Sequence, residues 1–404
     1  MTETYYPVVG GGETQARLLA EGLVARGHSV LIVTRRSDPG LKNIERYGQV
    51  AVHRLGFSGN GQLKKWGLLL STIPALIRLR GEYDWVFVSG FRIVGPAAVL
   101  VSKLFRKGSV LKSDSQGEMS GEYFESGLKK IRLSRGNFLF RSFLTLRNSI
   151  LRKADAFSAI SDGIADEYRQ NGVDPRQIHR IPNCVDMSDF YPVDGEKKRN
   201  LRDRLQIPRD AVVAVYTGRL VSYKGLPLLV RVWDELSRGN ADVLLLLVGT
   251  GGLDIHNCEP ELKGFVRRHQ LEGAVRFTGS VDNVPEYLQA ADIFVLPTED
   301  DAFPSSLVEA MAAALPAVST PVGAIQSIIS DGQNGLLVDP GEYKQLHGAL
   351  QSLIDDPDLR SRLGTAAWET VQENYSADTV TEKYLHLYQA VVDKLAPGRA
   401  ASNL

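Results

Sequence analysis

The chain has 404 residues, too many for one ordinary core and enough for two domains of roughly 200 each. Hydrophobic residues make up 43% and charged residues 23%, and Lys+Arg and Asp+Glu both total 47, so the formal net charge is zero. This is a globular composition, and it excludes a partner held by a global basic field, nucleic acid above all; any basic surface must be local.

The first residues, Met1 to Pro7, have no basic stretch followed by an apolar one, so no secretory signal is expected. Cys184 and Cys258 lie far apart without metal-ligand spacing. Neither a disulfide framework nor a bound metal is expected, and a reducing, cytoplasmic setting fits. The longest mostly apolar run, Gly67 to Leu79, contains Pro74 and Arg78 and is too short to span a bilayer.

In chain order, a helical pattern from Glu13 to Arg26 follows Gly10-Gly11-Gly12. Buried strands are predicted at Ser29–Thr34, Tyr83–Val88, Ser109–Leu111 and Ala156–Ile160, with a helix from Ile93 to Phe105 between two of them. A polar, proline-containing stretch from 187 to 210 reads as a linker. A second series of strands follows at Ala211–Thr217, Val243–Val248, Ala274–Thr278, Asp292–Leu296 and Ala317–Thr320, and a last helix at about 378–396. Strand–helix alternation predicts an α/β protein with parallel sheets covered on both faces, in two Rossmann-like domains. The domains are placed at 1–186 and 187–377, with the last helix packing back onto the first. Only about six residues precede the Gly10 turn. Either the first strand is very short or the chain starts downstream of it, which would cost the sheet one central strand.

Three constellations point to chemistry. Gly10-Gly11-Gly12-Glu13 opens a helix, whose first N–H groups favour anions. It is also what a plain tight turn looks like. Gly218-Arg219 to Lys224-Gly225 follows a strand, where open α/β sheets bind ligands. Arg219 can fork onto phosphate oxygens and Lys224 can add a point charge. Pro297 to Met311 holds an acidic loop with Asp301, then a helix starting near Ser305 whose amides can hold a phosphate. Glu309, one turn on, can accept hydrogen bonds from ribose hydroxyls. The plain alternative is a capped helix with acids complementing its dipole.

Together, these pieces resemble glycosyltransferase family four, a retaining family of GT-B fold with two Rossmann-like domains facing across a cleft. The resemblance rests also on Arg26-Gly27-His28-Ser29-Val30, Ile181-Pro182-Asn183-Cys184-Val185-Asp186, Phe277-Thr278-Gly279, Phe303 to Met311 and Gly332 to Val338. It implies transfer from a nucleoside-diphosphate sugar, which is a substrate, with no cofactor and no metal. Arg219 and Lys224 would clamp the diphosphate, next to Gly218. The backbone from Phe303 and Pro304 through Ser305, Ser306 and Leu307 would add N–H groups. Glu309 would hold the ribose and Asp301 the sugar. Gly249, Gly251, Gly279 and Val281 would border the base. Gly11, Gly12 and Glu13, with Lys112 and Asp114, would lie on the acceptor side.

The chain departs from the family pattern at three places. Asp301 stands where a glutamate is usual. Cys184 replaces a glycine and is expected to strain its turn. No His occurs between Val110 and Glu118, where many members carry one near the reacting carbon. His28, at a turn, reads as structural. The expected acceptor is a hydroxyl on a glycan, a lipid-linked glycan or a small molecule, as in cell-surface polysaccharide or glycolipid synthesis. Residues 128–153 hold eight Lys or Arg and no acid among Leu, Ile and Phe, and Lys64 to Leu70 is similar. Such segments suit an anionic membrane face, hence a peripheral position on the inner membrane surface; an ordinary amphipathic helix gives the same pattern. Two other functions stay open: a nucleotide-sugar epimerase of the same fold, and a non-catalytic sugar-nucleotide-binding protein.

Overall fold

The computed structural model describes residues 1–8, 10–56, 62–124, 137–239 and 242–395. The chain divides into two compact units, Met1–Asn183 with Ala377–Leu404, and Cys184–Ser376.

In the first unit the strands are β1 (Leu31–Arg35), β2 (Ile44–Tyr47), β3 (Val50–Leu55), β4 (Trp85–Ser89), β5 (Gly108–Lys112), β6 (Ala156–Ala159) and β7 (Ile178–Arg180). The helices are α1 (Gly11–Ala25), α2 (Gln62–Arg78), α3 (Gly95–Leu104), α4 (Phe138–Leu151) and α5 (Asp162–Gln170). The strands form two sheets, β1-β3-β2 and the all-parallel β4-β5-β6-β7. The β2–β3 pair is antiparallel and was not legible in the sequence, because Ile44–Tyr47 alternates exposed and half-buried residues without an apolar run.

Residues 1–3 join the two sheets. Thr2 donates its amide to the Val33 carbonyl at 3.2 Å, and Glu3 accepts from the Arg35 amide at 3.3 Å. On the other side the Met1 carbonyl accepts from Ser89 at 2.9 Å. The strand position between β1 and β4 is thus filled only at its carboxyl end. Behind it lies a cavity of about 340 Å³ lined by Leu19, Leu23, Ile32, Val86 and Tyr388, among others.

The second unit carries β8 (Val212–Thr217), β9 (Val243–Val248), β10 (Val275–Gly279), β11 (Ile293–Leu296), β12 (Ala317–Ser319) and β13 (Leu336–Leu337). They form one parallel sheet in the order β10-β9-β8-β11-β12-β13. Its helices are α6 (Gly195–Arg204), α7 (Leu226–Gly239), α8 (Glu259–Arg268), α9 (Val284–Ala290), α10 (Ser305–Ala312), α11 (Ile325–Ile328), α12 (Tyr343–Asp355) and α13 (Pro357–Asn374). Strand β9 is Val-Leu-Leu-Leu-Leu-Val, buried at all six positions, which is what a strand covered on both faces requires. The sheet reverses direction at β8, since β9 adds on one side and β11 on the other. That switch point leaves a crevice at the carboxyl ends of β8 and β11.

Helix α14 (Ala377–Leu395) belongs to the first unit. Its Tyr388 stacks on Trp85 of β4 at 3.5 Å between ring centroids, and its Tyr384 meets Phe87 edge-on at 5.3 Å. Two of its acids, Asp378 and Glu382, pair with Arg26 at the end of α1.

Two expectations are corrected. The stretch 187–210 is not a bare linker. Asp194 caps α6 by accepting the Lys197 amide at 2.7 Å, and the helix buries Leu201 and Arg202. Cys184 is buried and does not take a left-handed backbone, so the missing glycine strains nothing there.

Asp292 ties α6 to the sheet. It accepts from Lys198 and Arg202, both at 2.6 Å, and from the Val213 amide at 2.7 Å. Burial opposes its ionisation, but the two cations overrule this and hold its carboxyl below the usual range. Asp292→Ala leaves the buried Arg202 guanidinium without its counter-ion. It is expected to cost roughly 3 kcal/mol, read as a lower urea midpoint.

Candidate active site

The crevice at the switch point collects the loops after β8 and β11. After β8 the chain runs through Gly218, Arg219 and a short 3-10 turn, Ser222–Lys224, to Gly225. Gly225 has φ 72° and lies so close to β11's exit that a Cβ there would sit 1.9 Å from the Pro297 carbonyl oxygen. Only glycine lets the two loops meet. The Tyr223 carbonyl accepts from the Glu299 amide at 2.8 Å and from the Thr298 hydroxyl at 3.2 Å, which locks the loops in register.

This brings Lys224 and Asp301 together: Nζ donates to Oδ2 at 2.6 Å, with both side chains mostly shielded from water. Lys224 also reaches the Asp300 carbonyl at 3.3 Å. The other carboxylate oxygen of Asp301 accepts the Phe303 amide at 3.2 Å, so the acid is aimed by its own loop. Arg219 is more open, 63% exposed; it donates to Asp254 and, at 2.8 Å, to the Tyr223 hydroxyl.

Phe303 is buried and packs on Tyr375 at 6.2 Å, and Pro304 stands at the N-cap of α10. No side chain caps this helix, so the plain capped-helix alternative does not hold. The Ser305 and Ser306 amides head the helix, and Leu307 closes the turn onto the Pro304 carbonyl at 3.1 Å. Glu309 touches solvent only in part and receives no side-chain hydrogen bond among the described residues. Burial alone pushes its carboxyl up to about 7.

Gly218, Gly249 and Gly279 line up at the ends of β8, β9 and β10, with the Gly249 amide on the Gly279 carbonyl at 2.9 Å. The Gly251 amide is tied to Glu259 at 2.9 Å, and Val281 sits half-buried just past β10. Sequence reasoning missed Tyr223, Asp254 and Gly323. A Cβ at Gly323 would lie 1.7 Å from the Asp301 carbonyl oxygen, so this glycine admits the acidic loop. Its signal was available as a turn glycine just past β12. Asp254 gave none, because it stands 35 residues from its partner.

The remaining candidates lie in the first unit, as a separate cluster. Gly11, Gly12 and Glu13 form the first turn of α1, and Glu13 folds back to accept from Thr4. Asp114 accepts from Lys112 at 2.9 Å and from Ser89 at 2.7 Å. Its second oxygen lies 3.6 Å from where a Gly12 Cβ would stand. Burial disfavours the charged forms of Asp114 and Lys112, but their mutual attraction overrules it, holding the acid low and the amine high. Glu118 is fully buried, accepts the Asp114 amide at 3.0 Å and lies 3.9 Å from Arg92. Burial raises its carboxyl to about 7. Glu167 shapes this loop by accepting three amides, from Gly117, Met119 and Ser120, at 2.7–2.8 Å.

The basic segments are only partly described. Residues 128–136 and the side chains of 62–66 lie outside the described residues. Arg147 is withdrawn from any basic surface. It is buried and donates to the Arg92 carbonyl at 3.1 Å and the Glu118 carbonyl at 2.8 Å. Among the described residues no helix is long and apolar enough to cross a membrane.

Comparison with known proteins agrees with this architecture. Residues 197–370 match the family "Glycosyl transferases group 1", and residues 10–184 match "Glycosyl transferase 4-like domain". The lipopolysaccharide core biosynthesis glycosyltransferase LpsE of Rhizobium meliloti is 30% identical over 243 residues, which are 60% of this chain and 66% of that protein. N-acetyl-α-D-glucosaminyl L-malate synthase of Bacillus anthracis is 24% identical over 399 residues, 96% of each chain. Among solved structures, sucrose-phosphate synthase from Thermosynechococcus elongatus superposes with a TM-score of 0.75 at 23% identity, over 97% of this chain and 95% of that one. Anabaena HepE, solved with UDP-glucose, gives 0.72 at 19% over 96% and 98%. With both units matched in order and the switch-point crevice built as described, the chain belongs to the group 1 glycosyl transferases, the family-four type of GT-B fold.

Proposed function

We propose that the chain is a retaining, metal-independent glycosyltransferase. It moves a sugar from a nucleoside-diphosphate donor to a hydroxyl of a glycan or lipid-linked acceptor at a membrane face. One observation carries the reading: Lys224, Arg219 and the uncapped start of α10 converge on the sheet's switch point. When the sugar–phosphate bond breaks, its electron pair goes to the departing diphosphate. Two cations and a set of helix amides, already in place, stabilise that charge as it develops. They supply what a metal would otherwise supply. Asp301, held by Lys224 and the Phe303 amide, is assigned to the donor sugar, and Glu309 to the ribose. On the acceptor side the Lys112–Asp114 pair at Gly12 is assigned to the incoming hydroxyl.

The test is a donor panel. Purified protein is incubated with UDP-, GDP-, ADP- and dTDP-sugars, with and without a lipid and glycan extract, and released nucleoside diphosphate is quantified. One donor should be consumed, faster with extract, with the anomeric configuration kept and no loss of rate in EDTA. Conversion of the donor without acceptor would instead make the chain an epimerase. Thermal stabilisation by a donor with no turnover would make it a binding protein.

A further inference from the structure

We propose that the solvent face of α4 is a docking surface for an anionic lipid bilayer. Half of the large apolar side chains on this helix are exposed. Phe138, Leu139 and Leu146 are 78%, 73% and 66% exposed, and Phe143 is 43% exposed. At about 100° per residue the four fall within an arc of roughly 140°. Phe140, Arg147 and Leu151 occupy the opposite side and are buried. Among the described residues the helix therefore has two apolar sides, one buried in the fold and one exposed. Serine and threonine fill the rest of the outer arc, at Ser142 and Thr145, and nothing acidic interrupts it.

Charge selects the occupant. Arg141 and Arg152 are exposed along one edge of the arc, and Lys153 is exposed at the helix end. No Asp or Glu occurs anywhere from 128 to 153. A second copy docking through the same face by a two-fold axis would set these cations against their own equivalents, with no acid to offset them. A leaflet of anionic lipid offers what the face lacks. The apolar arc enters the boundary between headgroups and acyl chains, and the cations stay among the phosphates. Each basic residue near such a surface raises partitioning by roughly fivefold, an effect that salt removes.

This inference takes its setting from the proposed lipid-linked acceptor, but the binding it asserts needs no turnover. The full chain is sedimented with phosphatidylcholine vesicles and with vesicles that also contain phosphatidylglycerol. Wild type should bind the mixed vesicles and lose most of that binding in high salt. The variant Phe138→Ser/Leu139→Ser/Leu146→Ser should bind at least about tenfold less, with its melting temperature unchanged because the three side chains are exposed. Arg141→Glu/Arg152→Glu should abolish the preference for phosphatidylglycerol. Wild-type binding to neither vesicle, or equal binding by the serine variant, overturns the proposal. So does a wild-type dimer without vesicles that the serine variant dissociates, since a second copy would then cover the face. Donor consumption by the same proteins, with the lipid and glycan extract as acceptor source and without added vesicles, is scored in parallel. Its absence would sink the transferase reading and leave the vesicle result standing.

Discussion

Lys224→Ala is expected to lower the turnover of donor about a hundredfold, and Arg219→Ala by a similar factor, with both proteins folded. Each removes one pre-placed positive charge from the departing diphosphate, an effect on the order of 3 kcal/mol in the barrier. The two differ in what they leave behind. Lys224 is shielded and neutralises Asp301 at 2.6 Å, so its loss also leaves that acid uncompensated beside the donor's negative charge. Lys224→Ala should therefore raise KM for the donor as well as lower kcat. Arg219 is largely exposed, and Asp254 is its counter-ion. Its removal should act mainly on kcat and be partly restored by Arg219→Lys. Steady-state kinetics across the donor found active in the panel checks both. Unimpaired turnover by both variants would remove the assignment.

Glu309→Gln should trade function for stability in a pH-dependent way. The carboxyl is raised from its ordinary 4.5 to about 7 by burial in the folded chain. Below pH 4.5 the group is neutral whether the chain is folded or not, and it costs nothing. Between 4.5 and 7 the unfolded chain gives up the proton while the folded chain keeps it, so stability falls as pH rises. Above 7 the loss levels off at about 3 kcal/mol, an upper bound because the side chain still touches water. Glutamine removes this dependence. Its melting temperature should match wild type near pH 4 and exceed it at pH 8, with Glu118 supplying the slope that remains. If Glu309 holds the ribose, the same variant should also bind the donor about ten- to a hundredfold more weakly, the range for a lost hydrogen bond to a charged group. Equal melting curves for the two proteins at pH 8 would show that Glu309 is ionised at no cost, and so not enclosed.

Local structure is what the residues announce on their own. Strands such as Val243–Val248 announce themselves, because a strand covered on both faces must be apolar throughout. The motifs at 218–225 and 303–309 were legible because glycine, cation and helix start lie within a few residues of one another. The antiparallel β2–β3 pair, the helix inside 187–210 and the bridging role of residues 1–3 were not legible, since each depends on partners far along the chain. The tertiary structure alone decided which charges meet. Lys224 and Asp301 are 77 residues apart, and they pair only because the strand order puts β11 beside β8 and glycine at 225 lets the loops touch. It also decided which cations face water. In one basic segment Arg147 is consumed by the Arg92 and Glu118 carbonyls while Arg141, six residues earlier, stays exposed. Composition treats these arginines alike. What separates them is the angle each takes around a helix axis whose orientation is fixed by packing.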